Sequence, residues 1–370
     1  MAKSLDDCPE EVVTKTLLRL EVKSLLLCKS VSKTWLSIIS DHNFVRSHLS
    51  RAVVASSSNP TLLIIKNLHR DYGTIDANVQ QQSRGQLMEL NVPDFPIRVN
   101  YLILPDALEV YSVVGSCNGI ICLNCVVRNF LALWNPATRQ CKEIYGPFQE
   151  PFENNVGFGY DSVSNDYKII KIVEKTGSVD IPVVLVYSTN ATCWTQLKVP
   201  ILKNEKVCGK NIIFMSGVVY CALNNKLFLV DLHKEVVGLV PFPKSTGQRG
   251  SEIMDFNGSV ACVFFDNGSG ANLWTLDDVS GKMCWTKKFS LETNNIWLSC
   301  YLGAGKFYGK VLCQNDQVLY DYEKKIVKFY QIHGRINSFV ALKYIETLVS
   351  LDGFKQVEKI QISHPHGKTI

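Results

Sequence analysis

At 370 residues the chain exceeds an ordinary single domain, so two domains are the starting expectation, and its composition is that of a globular protein. The formal net charge is +5, and the basic residues are scattered, with no Lys/Arg run interleaved with aromatics, which argues against nucleic acid. No apolar run approaches bilayer length, and the first seven residues, Met1 to Asp7, lack an apolar core of signal-peptide length, so no membrane or secretory route is expected.

That places the chain in the cytoplasm, the nucleus or both. The 13 cysteines then read as reduced, mostly buried apolar groups rather than a disulfide framework. Three Asn-x-Ser/Thr triplets, beginning at Asn190, Asn257 and Asn267, read as turns rather than glycan acceptors.

The first organised stretch is residues 9–35. Apolar residues recur there at helical spacing: Val13, Leu17, Leu20, then Leu25, Cys28, Val31 and Trp35. Asp6 and Asp7 precede Pro9, and Glu10 and Glu11 follow it, which marks a helix start with acids at the positive end of its dipole. Two or three short helices fit. About forty residues cannot bury that many leucines alone. The expectation is an apolar face covered by another protein; the competing reading is a helical hairpin packed on its own chain.

Apolar periodicity continues to residue 50. The polar stretch Ser56-Ser57-Ser58-Asn59-Pro60 reads as a linker over residues 51–60. Beyond it, strand-like runs of five to seven residues alternate with Gly, Asn and Asp turns, and no long amphipathic helix interrupts them. Two signals repeat. A turn followed by an apolar strand occurs at Asn118-Gly119, Asp166-Tyr167, Ser216-Gly217, Asn257-Gly258 and Tyr308-Gly309. A strand ending in a polar turn occurs at Trp134-Asn135, Tyr187-Ser188, Val230-Asp231, Trp274-Thr275 and Tyr320-Asp321. The two alternate at roughly the 40–50-residue spacing of a propeller blade.

Five units are therefore recognisable. A sixth can be assembled from residues 62–66 and 87–92 with the C-terminal run 339–351, which would leave no exposed sheet edge. The expected fold is a small all-α module over residues 1–50, then an all-β domain over 61–352, a six-bladed β-propeller, with a tail over 353–370. Seven blades and a two-sheet sandwich are the competing architectures.

Residues 9–35 resemble the F-box, the helical module that docks on the Skp-type linker of a cullin-based ubiquitin ligase. Pro9, Glu10, Leu17-Leu18-Arg19-Leu20, Val22 to Leu26, Val31-Ser32-Lys33 and Trp35 carry the resemblance. Cys8 and Glu21 depart from it, standing where the family usually has Leu and Pro. Glu21 leaves open a helix that runs on, where Pro would break it. The resemblance implies a linker-binding surface of Pro9, Leu17, Leu18, Leu20, Val22, Leu25, Leu26, Val31 and Trp35.

Residues 60–350 resemble the plant F-box-associated domain, related to kelch-type propellers. The carriers are Gly115 to Gly119, then Leu133-Trp134-Asn135-Pro136-Ala137-Thr138-Arg139, and then Gly157-Phe158-Gly159-Tyr160-Asp161 with Asp166-Tyr167-Lys168. Together the two resemblances imply a substrate-recognition adaptor of an SCF-type ligase. Its partners would be a Skp-like linker, through it a cullin, and a target protein held by the propeller. Within that class, a self-incompatibility factor recognising pistil ribonucleases is one narrower version.

Chemistry is sparse. Cys117, Cys122, Cys125 and Cys141 match a plant-type iron–sulfur spacing, but Cys122 and Cys125 lie three apart on one strand and so face opposite ways. His364 and His366 have no neighbouring Cys or carboxylate to complete a metal site. The Gly115–Gly119 stretch lacks the Lys and Ser/Thr of a phosphate loop, and no Gly-x-Ser-x-Gly elbow occurs. No catalytic residue, cofactor or metal is expected; the rival class is a stand-alone propeller enzyme or carbohydrate-binding protein. The tryptophans read as blade packing, with one or two at a face as the alternative. Stretches 67–84, 93–109, 145–155 and 243–252 are the candidate specificity loops.

Overall fold

The computed structural model describes residues 9–58, 61–66, 88–91, 98–102, 111–125, 129–146, 155–173, 183–197, 199, 212–223, 225–243, 250–266, 270–293, 295–311, 317–330 and 339–356. The helical module comprises α1 (Glu10–Leu17), α2 (Val22–Cys28), α3 (Lys33–Ser40) and α4 (His42–Ser58). Pro9 occupies the N-cap of α1 with Glu10 and Glu11 in its first turn. Glu21 does not carry that helix on. It is extended, at φ −69° and ψ 155°, and separates α1 from α2. Ser32 caps α3, its hydroxyl accepting from the Trp35 N–H at 3.1 Å. Asp41 caps α4, accepting from the N–H groups of Asn43 and Phe44 at 2.8 and 3.1 Å.

The expected linker over 51–60 is corrected here: α4 continues to Ser58. Serine hydroxyls fold back on the helix, Ser50 donating to the Arg46 carbonyl and Ser56 to that of Val53. Ser56 thus needs no coil to satisfy its hydroxyl.

The β region begins with β1 (Thr61–Lys66), β2 (Met88–Asn91) and β3 (Arg98–Leu102). Five regular blades follow, each of four consecutive antiparallel strands. They are β4 (Tyr111–Cys117) with β5 (Ile120–Cys125), β6 (Phe130–Asn135) and β7 (Gln140–Tyr145); then β8 (Val156–Asp161), β9 (Asp166–Val173), β10 (Val183–Ser188) and β11 (Cys193–Leu197). Next come β12 (Ile212–Met215), β13 (Val218–Ala222), β14 (Lys226–Asp231) and β15 (Val236–Pro241), then β16 (Gly250–Phe256), β17 (Ser259–Phe265), β18 (Gly270–Val279) and β19 (Lys282–Glu292). The last regular blade is β20 (Ile296–Gly303), β21 (Lys306–Val311), β22 (Gln317–Asp321) and β23 (Ile326–Tyr330).

Among the described residues regular blades therefore number five, not six. The remaining sheet is built differently: β24 (Phe339–Tyr344) pairs with β1 antiparallel, and β1 pairs with β3 parallel, in the order β2-β3-β1-β24. Both ends of the β region meet in this sheet. Its inner strand β24 neighbours β4 on one side and β20 on the other, so the ring closes. The expected tail over 353–370 also needs correction, because β25 (Lys355–Gln356) adds a fifth strand beside β7.

Turn chemistry explains the repeats. Asn118-Gly119, Ser216-Gly217 and Asn257-Gly258 have both residues at positive φ, the two-residue hairpin turn whose twist matches the strands. Asn135, Asp161, Asp231 and Asp321 each accept, through Oδ1, from the N–H groups two and three residues on. Four residues after each sits one left-handed residue: Arg139, Asn165, Glu235 and Lys325. In an up-and-down blade the first–second and third–fourth turns share one end. All these turns therefore lie on one face of the ring, and the described strand ends where one blade gives way to the next lie on the other.

Neighbouring blades interlock. A Cβ on Gly159 would overlap the Phe214 ring, and one on Gly157 would lie 2.6 Å from Val219 Cγ1. Trp194, Trp285 and Trp297 each donate an indole N–H to the preceding blade, to the Tyr145 carbonyl, the Pro241 carbonyl and Glu252. Trp134 is buried, and Trp274 packs in the apolar cluster around Phe264.

Lys168, 7% exposed, pins two blades: its Nζ donates to the Leu232 carbonyl at 2.6 Å and to Glu235 at 2.9 Å, with Asp161 at 3.6 Å. Burial alone would raise the Asp161 carboxyl. Hydrogen bonds from the Ser164 hydroxyl, the Val163 and Ser164 N–H groups and His233 outweigh it and bring the value down to about 2. A carboxyl held below its unfolded value stabilises the fold above the unfolded pKa, and that stability is lost as pH falls through the folded one. Roughly 2 kcal/mol is therefore expected to disappear on acidification from about pH 5 to pH 2. Asp161→Asn is expected to flatten that part of a stability–pH curve measured by urea unfolding; an unchanged acid limb refutes the assignment.

Candidate protein-docking site

Three of the nine residues expected at the linker surface form the core of the helical module itself. Leu17, Val22 and Leu25 are 1%, 2% and 0% exposed, packed with Ile38, Ile39 and Phe44. Leu18, Leu20, Leu26 and Trp35 are half-buried around them, while Pro9 and Val31 are exposed. Sequence periodicity missed three further surface groups. Val12, Leu27 and Leu36 are 51%, 68% and 46% exposed, beside Val31 at 61%. Leu27 ends the Leu25-Leu26-Leu27 run and Leu36 follows Trp35, so the signal for them was adjacency to core positions rather than spacing.

Local geometry explains this placement. The chain after Leu27 closes with 3₁₀-type bonds, Ser30 N–H to the Leu27 carbonyl and Val31 N–H to that of Cys28. That tight turn brings Leu27 and Val31 within one turn of each other on the outside. His48 supports the α1–α2 corner from inside: buried and stacked on Phe44, it bonds the Leu20 carbonyl through Nε2 at 2.9 Å.

The module's other side meets the propeller. Leu348, 5% exposed, joins the Leu17–Leu25 core, and Ala137 of the β6–β7 turn packs beside it. The helices therefore sit over the turn face of the ring. Among the described residues Leu348 and Ala137 pack on the helical core, and Val12, Leu27, Val31 and Leu36 stay exposed. Val53 and Val54 of α4 are exposed as well. Isolated exposed apolar residues are ordinary, but six on a module of this size mark a candidate surface for a partner.

Residues 67–84 lie outside the described residues, as do 93–97, 103–109, 147–154 and 244–249 of the other expected specificity loops. The described flanks of the last two, Tyr145 and Asn155, and Pro243 and Gly250, fall where successive blades connect. That end of the ring faces away from the helices.

The cysteine pattern does not converge. Cys122 packs with Phe158 toward the next blade, whereas Cys141 packs with Trp134 on the opposite side of the sheet. Burial, with help from Glu143, pushes the Cys141 thiol up to about 12, and burial raises Cys117 as well. Among the described residues no group of three His, Cys, Asp or Glu stands close enough to hold a metal ion. His364 and His366 lie outside the described residues. No helix among the described residues is long and apolar enough to cross a membrane.

Comparison with known families gives two matches. Residues 5–47 match the F-box domain, and residues 80–349 match the F-box associated beta propeller domain. An Arabidopsis thaliana F-box/kelch-repeat protein, At3g23880, is 25% identical over 316 residues, covering 79% of this chain and 82% of its own. The A. thaliana F-box protein At3g07870 is 21% identical over 402 residues, covering 94% and 93%. Among solved structures, a chain of a nidogen/laminin complex aligns at TM-score 0.43 and 11% identity, over 64% of this chain and 86% of that one, too distant a likeness to carry weight.

Proposed function

Because the chain belongs to the F-box proteins that carry an F-box-associated β-propeller domain, we propose that it is the substrate-recognition subunit of an SCF-type ubiquitin ligase. The observation that carries the reading is the uncovered apolar surface of Val12, Leu27, Val31 and Leu36 on a module otherwise anchored to the propeller. A Skp-like linker covers that surface, with Pro9, Leu18, Leu20, Leu26 and Trp35 around it, and connects the chain to a cullin. Leu17, Val22 and Leu25 act indirectly, by holding the helices in place.

The propeller holds the target protein on the face opposite the helices, the side where successive blades connect. The chain itself performs no bond-making step. Its contribution is proximity: a tethered target lysine experiences a raised local concentration of the ubiquitin-charged enzyme. The self-incompatibility version, with a secreted pistil ribonuclease as target, is one instance of this reading, and a binding panel of such ribonucleases tests it.

The purified chain is expected to bind a plant Skp-like protein one to one, and to be more soluble with it than without it. Failure to bind any Skp-like protein, combined with good solubility alone, would favour a stand-alone propeller enzyme or carbohydrate-binding protein.

A further inference from the structure

Asn135 differs from its counterparts in one chemical respect. The equivalent third–fourth turn residue is Asp231 or Asp321 in two other blades, and Asp161 makes the same turn between a first and a second strand; in each a carboxylate oxygen suffices to accept the two turn N–H groups. Asn135 makes the same turn with Oδ1 and has an amide group left over. That amide donates to the Thr347 carbonyl at 3.0 Å and the Val349 carbonyl at 2.8 Å. A carboxylate could hold the turn but could not hold these two carbonyls.

The carbonyls belong to a strap, residues 345–356, that leaves β24 and crosses to the first regular blade, β4–β7. Gly119 lies flat beneath it, since a Cβ there would strike the Thr347 side chain and the Ile345 carbonyl. Farther on, Lys355 and Gln356 pair with β7. Between these fixed points only Leu348 turns the other way, into the core of the helical module. Asn135 is itself buried, at 0% exposed, so its bonds to the strap do not compete with water.

We propose that Leu348 and Asn135 are positioning residues, which set the direction in which the helical module points relative to the propeller. A single covalent joint would let the module swing. A leucine shared between its core and a strap clasped to the propeller locks the angle. The functional part of this inference rests on the adaptor reading: a tethered target gains from proximity only when the geometry lets it reach the charged enzyme. Asn135 and Leu348 are both buried within the chain, at 0% and 5% exposed, so they act through the clasp rather than by contact with a partner.

The test uses the full chain, alone and bound to a plant Skp-like linker, with Asn135→Asp and Leu348→Ala. Asn135→Asp keeps the turn acceptor but replaces the amide donor with a carboxylate oxygen that repels both strap carbonyls; Leu348→Ala removes the plug without adding charge. Small-angle scattering of both variants is expected to show a larger radius of gyration and a broadened distance distribution. Hydrogen exchange is expected to speed up in the strap and in α3 and α4, while circular dichroism retains the propeller signal. Linker capture and capture of a co-purified target should match wild type, and ubiquitin transfer to that target should fall about tenfold.

Wild-type scattering and exchange in both variants would overturn the inference. So would looser scattering with transfer at the wild-type rate, as far as the functional part is concerned. A wild-type chain that binds no linker would sink the adaptor reading, and scattering from the chain alone would still decide whether the clasp sets the angle.

Discussion

Leu27→Lys combined with Val31→Lys is expected to abolish capture of a plant Skp-like linker while the chain stays folded. Both side chains are mostly in solvent, at 68% and 61% exposed, so their replacement removes little internal packing. Lysine suits the end of α2, where a positive charge is favoured by the helix dipole, so the helix is not weakened. A docked apolar anchor is worth about 2 kcal/mol or more on truncation, and a charge in its pocket costs further. Two such changes are expected to weaken binding by roughly a thousandfold, which titration calorimetry reads directly.

Leu17→Asp or Leu25→Asp would be a poorer test. Those residues are 1% and 0% exposed, so a carboxylate there unfolds the helices and loses binding for an uninformative reason. Undiminished affinity in the Leu27/Val31 double variant, with an unchanged melting curve, would remove this surface from the linker interface.

The contrast between those leucines marks a limit of sequence reading. Leu17, Leu25 and Leu27 look alike in a stretch of short helices. A seven- or eight-residue helix makes about two turns, and two turns hold too few positions for spacing to separate a core stripe from a docking stripe. The serine run at 56–58 failed for another reason. Serine favours loops because its hydroxyl competes for backbone groups, yet in α4 the Ser56 hydroxyl bonds the Val53 carbonyl and the helix survives.

The propeller was more legible because its punctuation is local. Asn118-Gly119 and Asp231 dictate their turns through their own φ preferences and side-chain oxygens, whatever the rest of the chain does. The meeting of β1 with β24 was legible too, from the logic of closing an open sheet. The cross-blade roles were not. That Gly159 makes room for Phe214, or that the Asn135 amide reaches residues more than 200 positions away, has no short-range signature. In both cases a motif that reads as a turn or a close backbone approach also fixes a partner element distant in sequence.

Gly119→Ala and Gly217→Ala form a matched pair whose difference isolates the strap. Both glycines are the second residue of the same two-residue turn, with φ of 79° and 82°. An L-residue held in that left-handed region costs about 1–2 kcal/mol at either position. Around Gly217 that is the whole cost, because nothing lies within 4 Å of the added carbon. At Gly119 the new methyl meets the Thr347 side chain and, behind it, the Ile345 backbone carbonyl, which cannot rotate aside.

The strap must then lift or the turn must distort, adding about 1–3 kcal/mol of overpacking. For a domain of this size each kcal/mol corresponds to roughly 2–4 °C. Gly119→Ala is therefore expected to melt several degrees below Gly217→Ala under identical scan conditions. It alone should also accelerate hydrogen exchange in the helical module, because lifting the strap withdraws Leu348 from the helices. Equal melting points with equally protected helices would mean that the strap bears on neither the turn nor the module, and that Leu348 merely fills space between them.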